Sequence, residues 1–375
     1  MSSPRSEGAA AERLHIRGVI LPSGQERDLF VCDGRFSFEP CGDARTVLDH
    51  GYLLPGLVDA HTHLAFHSPA PADATWEVAA LASAQVELDA GVLTLRDPGG
   101  PTPAGLIGPH SGLPRTITAG RFLAAPGRMF PAHGQREATD EELPAAAEEQ
   151  LRAGDGWVKV IGDFPVRGIG FEPSFRSETL AAVAERVHRL GGRVAIHAVS
   201  VEAIGAAVEA GVDSIEHGLM IRPDQAATLA AQGGALTPTM ISTPGWLPGA
   251  LRQFDVPKEE IRRIAAAVER HPVTVREAWQ TGLTVLAGTD AAIVAHGLVR
   301  DEVHLLASAG IPIEAALAAG SWKAREFLGL PGIEEGAPAD LVAFARHPLE
   351  DPGTLAVPIL KVLDGRLVPA PATTN

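Results

Sequence analysis

Two histidines, one residue apart, follow a short apolar run near the start of the chain. Residues 53–58 have the length and composition of a strand, and His61 and His63 come just after them. Because side chains alternate between the two faces of a strand, these imidazoles point the same way. Two imidazoles at one strand end can bind a single metal ion from one side. An isolated His-x-His pair is just as typical of a loop, so the metal hypothesis depends on the rest of the chain.

Five more polar residues lie within or close after strand-like apolar runs, namely Asp97, Lys159, His197, His217 and Asp290. Taken alone, either histidine has a simpler explanation as a hydrogen-bonded core residue, and Asp290 as a helix N-cap. Lys159 is different, because valines flank it on both sides and a charged amine in an apolar strand needs a partner. Asp97 is more typical of a residue that braces a ligand than of a ligand. Together the residues indicate a metal centre.

The elements that must position these residues alternate between strand and helix. Counting from residue 53, eight strand-like runs occur, and most are followed by a helical pattern such as residues 177–190. This alternation predicts parallel βα units, and eight of them predict an α/β fold, a (β/α)8 TIM barrel over residues 53–335. A doubly wound sheet is the alternative, but no Gly-x-Gly-x-x-Gly follows the first strand. In a barrel the polar residues at the strand ends would all face one active site.

Both ends of the chain carry short strand-like runs outside the barrel pattern. We expect residues 13–52 and 336–370 to combine into one small β-sandwich domain. Residues 1–12 are polar and rich in alanine, and we expect them to form a disordered tail.

The composition excludes several classes of function. The 375 residues carry a formal net charge of −15 and no basic block, which argues against nucleic acid as a partner. No apolar run is long enough to span a membrane, and the N-terminus lacks the pattern of a secretory signal. Cys32 and Cys41 lack the spacing of a metal-binding pair, and they suggest a reducing cytoplasm without disulfides. We therefore expect a cytoplasmic protein with a small-molecule substrate, either a monomer or a homo-oligomer.

Six short motifs resemble, in order, those of the amidohydrolase superfamily of metal-dependent hydrolases. The resemblance is strongest to its imidazolonepropionase-like and prolidase-like branch. The motifs are LPGLVDAHTH (54–63), LRD (95–97), VKV (158–160), AIHA (195–198), IEHG (215–218) and AGTD (287–290). EGAPADLV (335–342), followed by DGR (364–366), resembles the closing β unit of the family. Each motif alone is weak, but six in the right order extend over most of the chain.

The resemblance implies two divalent metal ions, usually Zn2+. His61, His63 and Asp290 would hold one ion, and His197 and His217 the other. Lys159, carboxylated by carbon dioxide, would bridge them and complete both ligand sets. A water on such ions has a pKa of about 7, which supplies hydroxide at neutral pH. A single ion on His61, His63 and Asp290, with Lys159 unmodified, stays open as the alternative.

The same resemblance implies the chemistry of the reaction. Asp290 would orient the hydroxide, take its proton and pass it to the leaving amine. The expected activity is hydrolysis of a C–N (amide) bond in a small dipeptide-like or N-acyl amino acid substrate. Two alternatives share the metal site, namely hydrolysis of a cyclic amide or imidazolone and deamination of a heterocycle. A barrel that has lost catalysis is a third alternative, and the complete ligand set argues against it.

The residues expected around the substrate depart from the family pattern. Many relatives have a histidine two residues after the ligand of the fifth strand, where this chain has Val199. Prolidase-like relatives often use a tyrosine near the seventh strand, whereas Tyr52 is the single tyrosine here and precedes the first strand. A plain dipeptidase activity is therefore in doubt.

Three loop residues are candidates for substrate binding. His133 resembles a loop histidine that faces the site in this branch, and His296 lies on the loop after Asp290. Arg167 could hold a carboxylate with two hydrogen bonds, although a solvated arginine is the simpler interpretation. His67 and Trp246 are weaker candidates of the same kind.

Overall fold

The computed structural model describes residues 12–130 and 133–369, without the side chains of residues 246 and 248. The expected disordered tail, residues 1–12, therefore lies outside the described residues except for its last position. The strands are β1 (Leu14–Ile20), β2 (Gln25–Cys32), β3 (Arg35–Ser37), β4 (Arg45–Leu48), β5 (Tyr52–Leu54), β6 (Leu57–Asp59), β7 (Val92–Asp97), β8 (Arg115–Thr118), β9 (Leu123–Ala124), β10 (Arg136–Glu137), β11 (Trp157–Ile161), β12 (Asp163–Val166), β13 (Gly170–Pro173), β14 (Arg193–Ala198), β15 (Ser214–His217), β16 (Ala235–Thr237), β17 (Thr284–Val285), β18 (Leu341–Phe344), β19 (Leu360–Leu363) and β20 (Arg366–Leu367). The α-helices are α1 (Trp76–Asp89), α2 (Leu143–Ala153), α3 (Ser177–Arg189), α4 (Val201–Ala210), α5 (Pro223–Ala231), α6 (Thr243–Gln253), α7 (Lys258–Gln280), α8 (Val299–Ser308), α9 (Ile313–Ala319) and α10 (Trp322–Phe327).

The eight strands predicted for the barrel are all present and pair in parallel. They are β6, β7, β8, β11, β14, β15, β16 and β17, divided between a three-stranded sheet, β6-β7-β8, and a seven-stranded sheet, β10-β9-β11-β14-β15-β16-β17. The predicted α/β architecture with parallel strands is confirmed. A hydrogen bond also joins the chain just after β6 to the chain just after β17. In it, Ala60 N–H donates to the Ala287 carbonyl at 2.9 Å.

The parallel strands are buried because helices cover them. Every residue of β7 and β11 is buried, as expected for strands packed on both faces. The covering helix α3 buries Leu180, Val183 and Val187 on one face, at the spacing of an amphipathic helix. These residues share one hydrophobic core with Val158 and Val160 of β11. The packing holds the strand ends, and therefore the side chains that follow them, in fixed positions.

Strands from both ends of the chain form one eight-stranded sheet. Its order is β20-β19-β18-β5-β1-β2-β3, with β4 also paired to β1. The ends meet where Leu54 of β5 stands opposite Val342 of β18 in an antiparallel pair. The division of the chain into domains at residues 52/53 and 335/336 stays a prediction.

The expectation of no disulfide is wrong, because Cys32 and Cys41 are bonded to each other. Cys32 ends β2 and stands opposite Arg35 in the β2–β3 hairpin, and the chain after β3 returns beside it. The two Cα atoms are 6.2 Å apart. Spacing along the sequence did not reveal this approach, since the hairpin produces it. The cysteine-based argument for a reducing cytoplasm therefore loses its basis.

None of the described helices combines the length and apolar character needed to cross a membrane.

Candidate metal centre

His61, His63 and Asp290 bring three ligand atoms together at one point. Asp290 Oδ1 lies 3.5 Å from His61 Nε2 and 3.4 Å from His63 Nε2. One ligand atom from each of the three residues lies within 4.8 Å of the other two. Imidazole nitrogens and a carboxylate oxygen are typical ligands of zinc and similar divalent ions. The structure thus brings together the group that the sequence analysis assigned to one metal.

The other ring nitrogen of each histidine is held by a hydrogen bond. His61 Nδ1 lies 2.6 Å from Glu216 Oε2, and His63 Nδ1–H donates to the Gly99 carbonyl at 2.7 Å. A carboxylate and a carbonyl both accept, so each Nδ1 carries the proton and each Nε2 keeps its lone pair. Both histidines therefore present their metal-binding nitrogens toward Asp290.

Asp290 sits in a turn that two other residues hold in place. Its backbone is left-handed, with φ of 54°, and its N–H donates to the His61 carbonyl at 2.7 Å. Ser242 Oγ lies 3.3 Å from Oδ2, on the side of the carboxylate away from the two histidines. Burial raises the pKa of Asp290, while the His63 and Lys159 charges lower it, and the rise prevails. The carboxylate therefore aims one oxygen at the histidines and is a stronger base than a solvated aspartate.

Asp59, at the end of β6, links the two loops that carry these ligands. Its Oδ1 accepts from the N–H groups of His61 at 3.1 Å and Thr289 at 3.0 Å, and its Oδ2 accepts from Thr289 Oγ1 at 2.6 Å. One buried side chain thus joins segments that lie 230 residues apart in sequence.

His197 and His217 form a second pair of imidazoles beside the first. Their ring centroids are 4.6 Å apart, and the ring of His217 lies 5.3 Å from that of His61. His217 Nδ1 and Thr239 Oγ1 are hydrogen-bonded at 2.8 Å. Burial lowers the pKa of His197 to about 3 and that of His217 well below 6.5. Both rings are therefore neutral at pH 7, the form that binds metal.

Lys159 lies among the histidines on β11. It is 2% exposed, and burial lowers the pKa of its amine to about 8, although carboxylates including that of Asp290 oppose the shift. Its positive charge in turn lowers the pKa of His61, His197 and His217. The amine is thus close to both imidazole pairs.

A buried ion pair beneath the centre was not anticipated from the sequence. Arg96 Nη2 donates to both carboxylate oxygens of Glu216 at 2.8 Å, and its Nε donates to the Ala60 carbonyl. Burial alone would raise the pKa of Glu216, but Arg96 and Lys159 outweigh it and lower that pKa. Glu216 therefore stays ionised and accepts the hydrogen bond that His61 Nδ1–H donates. The available signal was a charged residue within each of two short buried strands, Arg96 in β7 and Glu216 in β15.

Two further buried carboxylates lie beside the histidines. Asp97 Oδ1 is 3.7 Å from His63 Nδ1, which agrees with the bracing position expected for it. Asp163 Oδ1 is 3.6 Å from His197 Nε2, and its carboxylate accepts from the N–H groups of Val199 and Ser200. Burial raises the pKa of Asp163 to about 6. The sequence analysis did not identify Asp163, because it lies two residues after β11, where an aspartate is typical of a turn.

The six predicted ligands all line one cavity. His133 lines it too, beside Phe66 and Phe130, with ring centroids 5.2 and 5.8 Å away. The other lining residues in the described part of the chain are apolar, and four of them are phenylalanines. The six predicted ligands thus form the floor of the cavity, and aromatic side chains are prominent in its wall.

Two predicted substrate residues are not among those that line the cavity. His296 is buried behind it, with Nδ1 3.1 Å from Glu87 Oε1 and Nε2 3.0 Å from the Phe66 carbonyl. Arg167 is exposed and forms an ion pair with Asp255. The side chain of Trp246 lies outside the described part of the chain.

Comparison with known proteins gives this site its context. The amidohydrolase family matches residues 52–368, and the chain belongs to that family. It is a hydrolase acting on carbon–nitrogen bonds. An uncharacterized protein of Mycobacterium tuberculosis is 40% identical over 370 residues, 97% of each chain. The predicted superfamily is confirmed.

Two solved structures share the fold. A Xaa-Pro dipeptidase with bound methionine in its active site has a TM-score of 0.81 and 23% identity, over 95% of this chain and 100% of that one. Ochratoxinase from Aspergillus niger has a TM-score of 0.78 and 20% identity, over 97% of each chain. A sequence match to ochratoxinase gives 28% identity over 254 residues, 63% of this chain and 52% of that enzyme. These likenesses confirm an α/β fold of the TIM-barrel type.

Proposed function

We propose that the protein is a metal-dependent hydrolase that cleaves the amide bond of a small dipeptide-like or N-acyl amino acid substrate. One observation carries the proposal: five side chains of metal-ligand type meet beside Lys159 at the floor of one cavity, and the six residues lie on or just after five different strands. The Xaa-Pro dipeptidase that shares the fold acts on a dipeptide, and this supports the proposed substrate class. The reaction adds water across the C–N bond and releases a carboxylic acid and an amine.

The scaffold of this site is a closed (β/α)8 barrel with a β-sandwich formed from both chain ends. Closure is supported by the Ala60–Ala287 hydrogen bond and by a parallel bridge between Thr62 and Ala291. The sandwich is supported by a separate hydrophobic core within the terminal sheet. That core contains alternate residues of several strands, for example Leu14 and Ile16 of β1. Two sheet layers that pack face to face bury the side chains of their inner faces in one such core.

The donor set fits two divalent ions, for which zinc is the natural candidate. His61, His63 and Asp290 would hold one ion, and His197 and His217 the other. Burial lowers the pKa of His61, His197 and His217, so these three imidazoles are already neutral at pH 7 and lose no proton when they bind an ion.

Lys159 would bridge the two ions as a carbamate. The neutral amine adds to carbon dioxide, forms an N–C bond and releases a proton, so a cation is replaced by an anion. Burial favours this step, because the amine has a pKa of about 8 and is partly neutral at pH 7. With His197, His217 and a water molecule the second ion would have three ligands, and the carbamate would supply the fourth.

The chain's own groups move the proton during hydrolysis. The bound ions lower the pKa of a water molecule to about 7 and polarise the scissile carbonyl. Asp290 Oδ1, which faces His61 and His63, accepts the proton of the attacking water and delivers it to the leaving nitrogen. Ser242 holds Oδ2, so the carboxylate keeps this orientation. The raised pKa of Asp290 suits a group that must both take and return a proton.

A substrate screen with a metal assay tests the proposal. Zinc-loaded protein is incubated with N-acyl amino acids, dipeptides and cyclic amides, and the released amine and ammonia are measured separately. We expect amine from linear amides without ammonia. Ammonia from a heterocycle would favour deamination, and ring opening alone would favour the cyclic amide hydrolase. No hydrolysis, with almost no metal retained after loading, would contradict the proposal and favour the non-catalytic barrel.

A further inference from the structure

The wall of the cavity is built from aromatic rings that support one another. Phe122 and Phe164 are each 2% exposed, and Phe66 and Phe130 are half-buried. Phe66 stacks on Phe122 with centroids 6.5 Å apart, and Phe130 meets Phe164 edge to face at 5.1 Å. Phe254 contacts Phe164 edge to face at 5.4 Å and lies 6.5 Å from Phe130. Such contacts fix the rings, so the wall is a formed surface.

This wall offers little to a charged group. Of the described residues that line the cavity none is an arginine, and Lys159 is a floor residue with a proposed role as ligand. Arg128 points away, because its guanidinium donates to the carbonyls of Phe164 at 3.4 Å and Pro173 at 3.1 Å. Arg167 is engaged by Asp255. A substrate carboxylate placed against the wall would lose hydration without gaining a cationic partner.

The residue that replaces the expected histidine on the fifth strand points to the same conclusion. Val199 is fully buried, and its side chain packs in a hydrophobic cluster with Leu219 and Leu247. It supplies no polar group to the substrate. Among the described wall residues His133 alone is polar, and it lies against Phe66 and Phe130. A wall that consists mainly of phenylalanine and aliphatic side chains suits a neutral aromatic group.

We propose that the substrate carries an uncharged aromatic group next to the scissile amide, and that Phe130 and Phe164 select it. The inference rests on the proposed amide hydrolysis and narrows its substrate class. The cavity would take an aroyl or arylalkyl group on one side of the C–N bond and disfavour a carboxylate in that position. Hydrolysis then yields an acid and an amine, of which one bears the aromatic ring.

Two substrate series separate this inference from the function it rests on. The first is N-acetyl-, N-benzoyl-, N-(2-naphthoyl)- and N-succinylglycine, and the second is N-acetyl derivatives of glycine, phenylalanine and aspartate. We expect kcat/KM to be about a hundredfold higher for the aromatic member than for the small one in at least one series, and lowest for the dicarboxylate. Hydrolysis with a flat profile in both series, or a preference for the dicarboxylate, overturns the inference and leaves amide hydrolysis standing.

A binding measurement gives a readout that does not need turnover. By calorimetry, 2-naphthamide should bind the full-length protein at least about tenfold more tightly than acetamide. If neither series is hydrolysed, amide hydrolysis fails, and this ratio alone decides whether the cavity selects aromatic groups. Equal affinity for the two amides overturns the inference.

Substitutions locate the selection in the wall. Phe130→Ala and Phe164→Leu should each lower the preference for naphthoyl over acetyl by about tenfold. Phe175→Leu is the matched control, because Phe175 is buried in the core against α3 and does not line the cavity. Circular dichroism and thermal unfolding check that all three variants fold. An unchanged preference in both folded wall variants, equal to that of the control, overturns the assignment.

Discussion

The floor and the wall of the cavity differ in which parts of the chain supply them. The floor residues come from the ends of parallel strands, and buried partners such as Glu216 and Asp59 fix them. The wall residues Phe66 and Phe130 come from connecting segments and are held mainly by contacts between rings. Strand ends are rigid and suit groups that need accurate geometry, whereas loops adapt to the substrate. We therefore assign the proposed metal binding and proton transfer to the floor, and the proposed substrate selection to the wall.

Removing the proposed proton carrier should have the largest effect. Asp290→Asn keeps the shape of the side chain but cannot accept a proton, so kcat should fall by about 10²–10⁴-fold. The fold should survive, because Ser242 can still donate to the amide oxygen. The measurement is kcat with zinc content determined on the same sample. Turnover at the parent rate would remove Asp290 from the mechanism.

Removing the bridge tests whether the floor holds two ions. In Lys159→Ala each ion loses a shared ligand, so we expect fewer than two retained metals per chain and activity lower by orders of magnitude. Short carboxylic acids should restore part of the activity because they can replace the carbamate, whereas chloride at the same concentration should not. Two tightly bound metals in the unrescued variant would contradict the bridge.

Glu216 tests the support beneath the floor. Glu216→Gln weakens the acceptor for His61 Nδ1–H and leaves Arg96 without a buried counter-ion. We expect metal affinity to fall by about 10–100-fold and the free energy of unfolding to fall by about 3–5 kcal/mol. Metal titration and chemical denaturation measure the two effects. The exposed Glu172→Gln is the control, and behaviour like that of the control would show that the ion pair supports neither property.

Ser242 should give the smallest effect on the floor. Its hydroxyl lies near both Asp290 Oδ2, at 3.3 Å, and the Thr239 carbonyl, at 3.1 Å. Ser242→Ala frees the orientation of Asp290, and we expect kcat to fall by about tenfold, with KM nearly unchanged. Thr243→Ala removes a bond to the same carbonyl without touching Asp290, so it is the matched control. Equal effects of the two changes would rule out the positioning role.

The sequence predicted the floor better than its supports. His61, His63 and Lys159 stood out because strand periodicity and apolar neighbours limit where such side chains can point. The partners of these residues come from distant strands, as with Asp59 and Thr289, and no local pattern relates positions 230 residues apart. The disulfide was missed for a related reason, since a hairpin creates the approach of its two cysteines.

The wall could not be predicted for a different reason. Phe66, Phe122 and Phe130 lie in connecting segments, where no period relates sequence position to direction, and Phe164 lies in the short strand β12, which the sequence pattern did not predict. His296 and Arg167 were predicted from residue type and loop position, but nearby carboxylates engage both of them away from the cavity lining. Loop chemistry becomes readable only when contacts are known.

The most direct test of the floor is a crystal structure of the zinc-loaded protein with anomalous diffraction at the zinc edge. We predict two zinc ions about 3.5–4 Å apart. One would lie on His61, His63 and Asp290 and the other on His197 and His217, with density for a carboxylate on Lys159 Nζ between them. A single ion, or two ions beside a plain lysine amine, would contradict it.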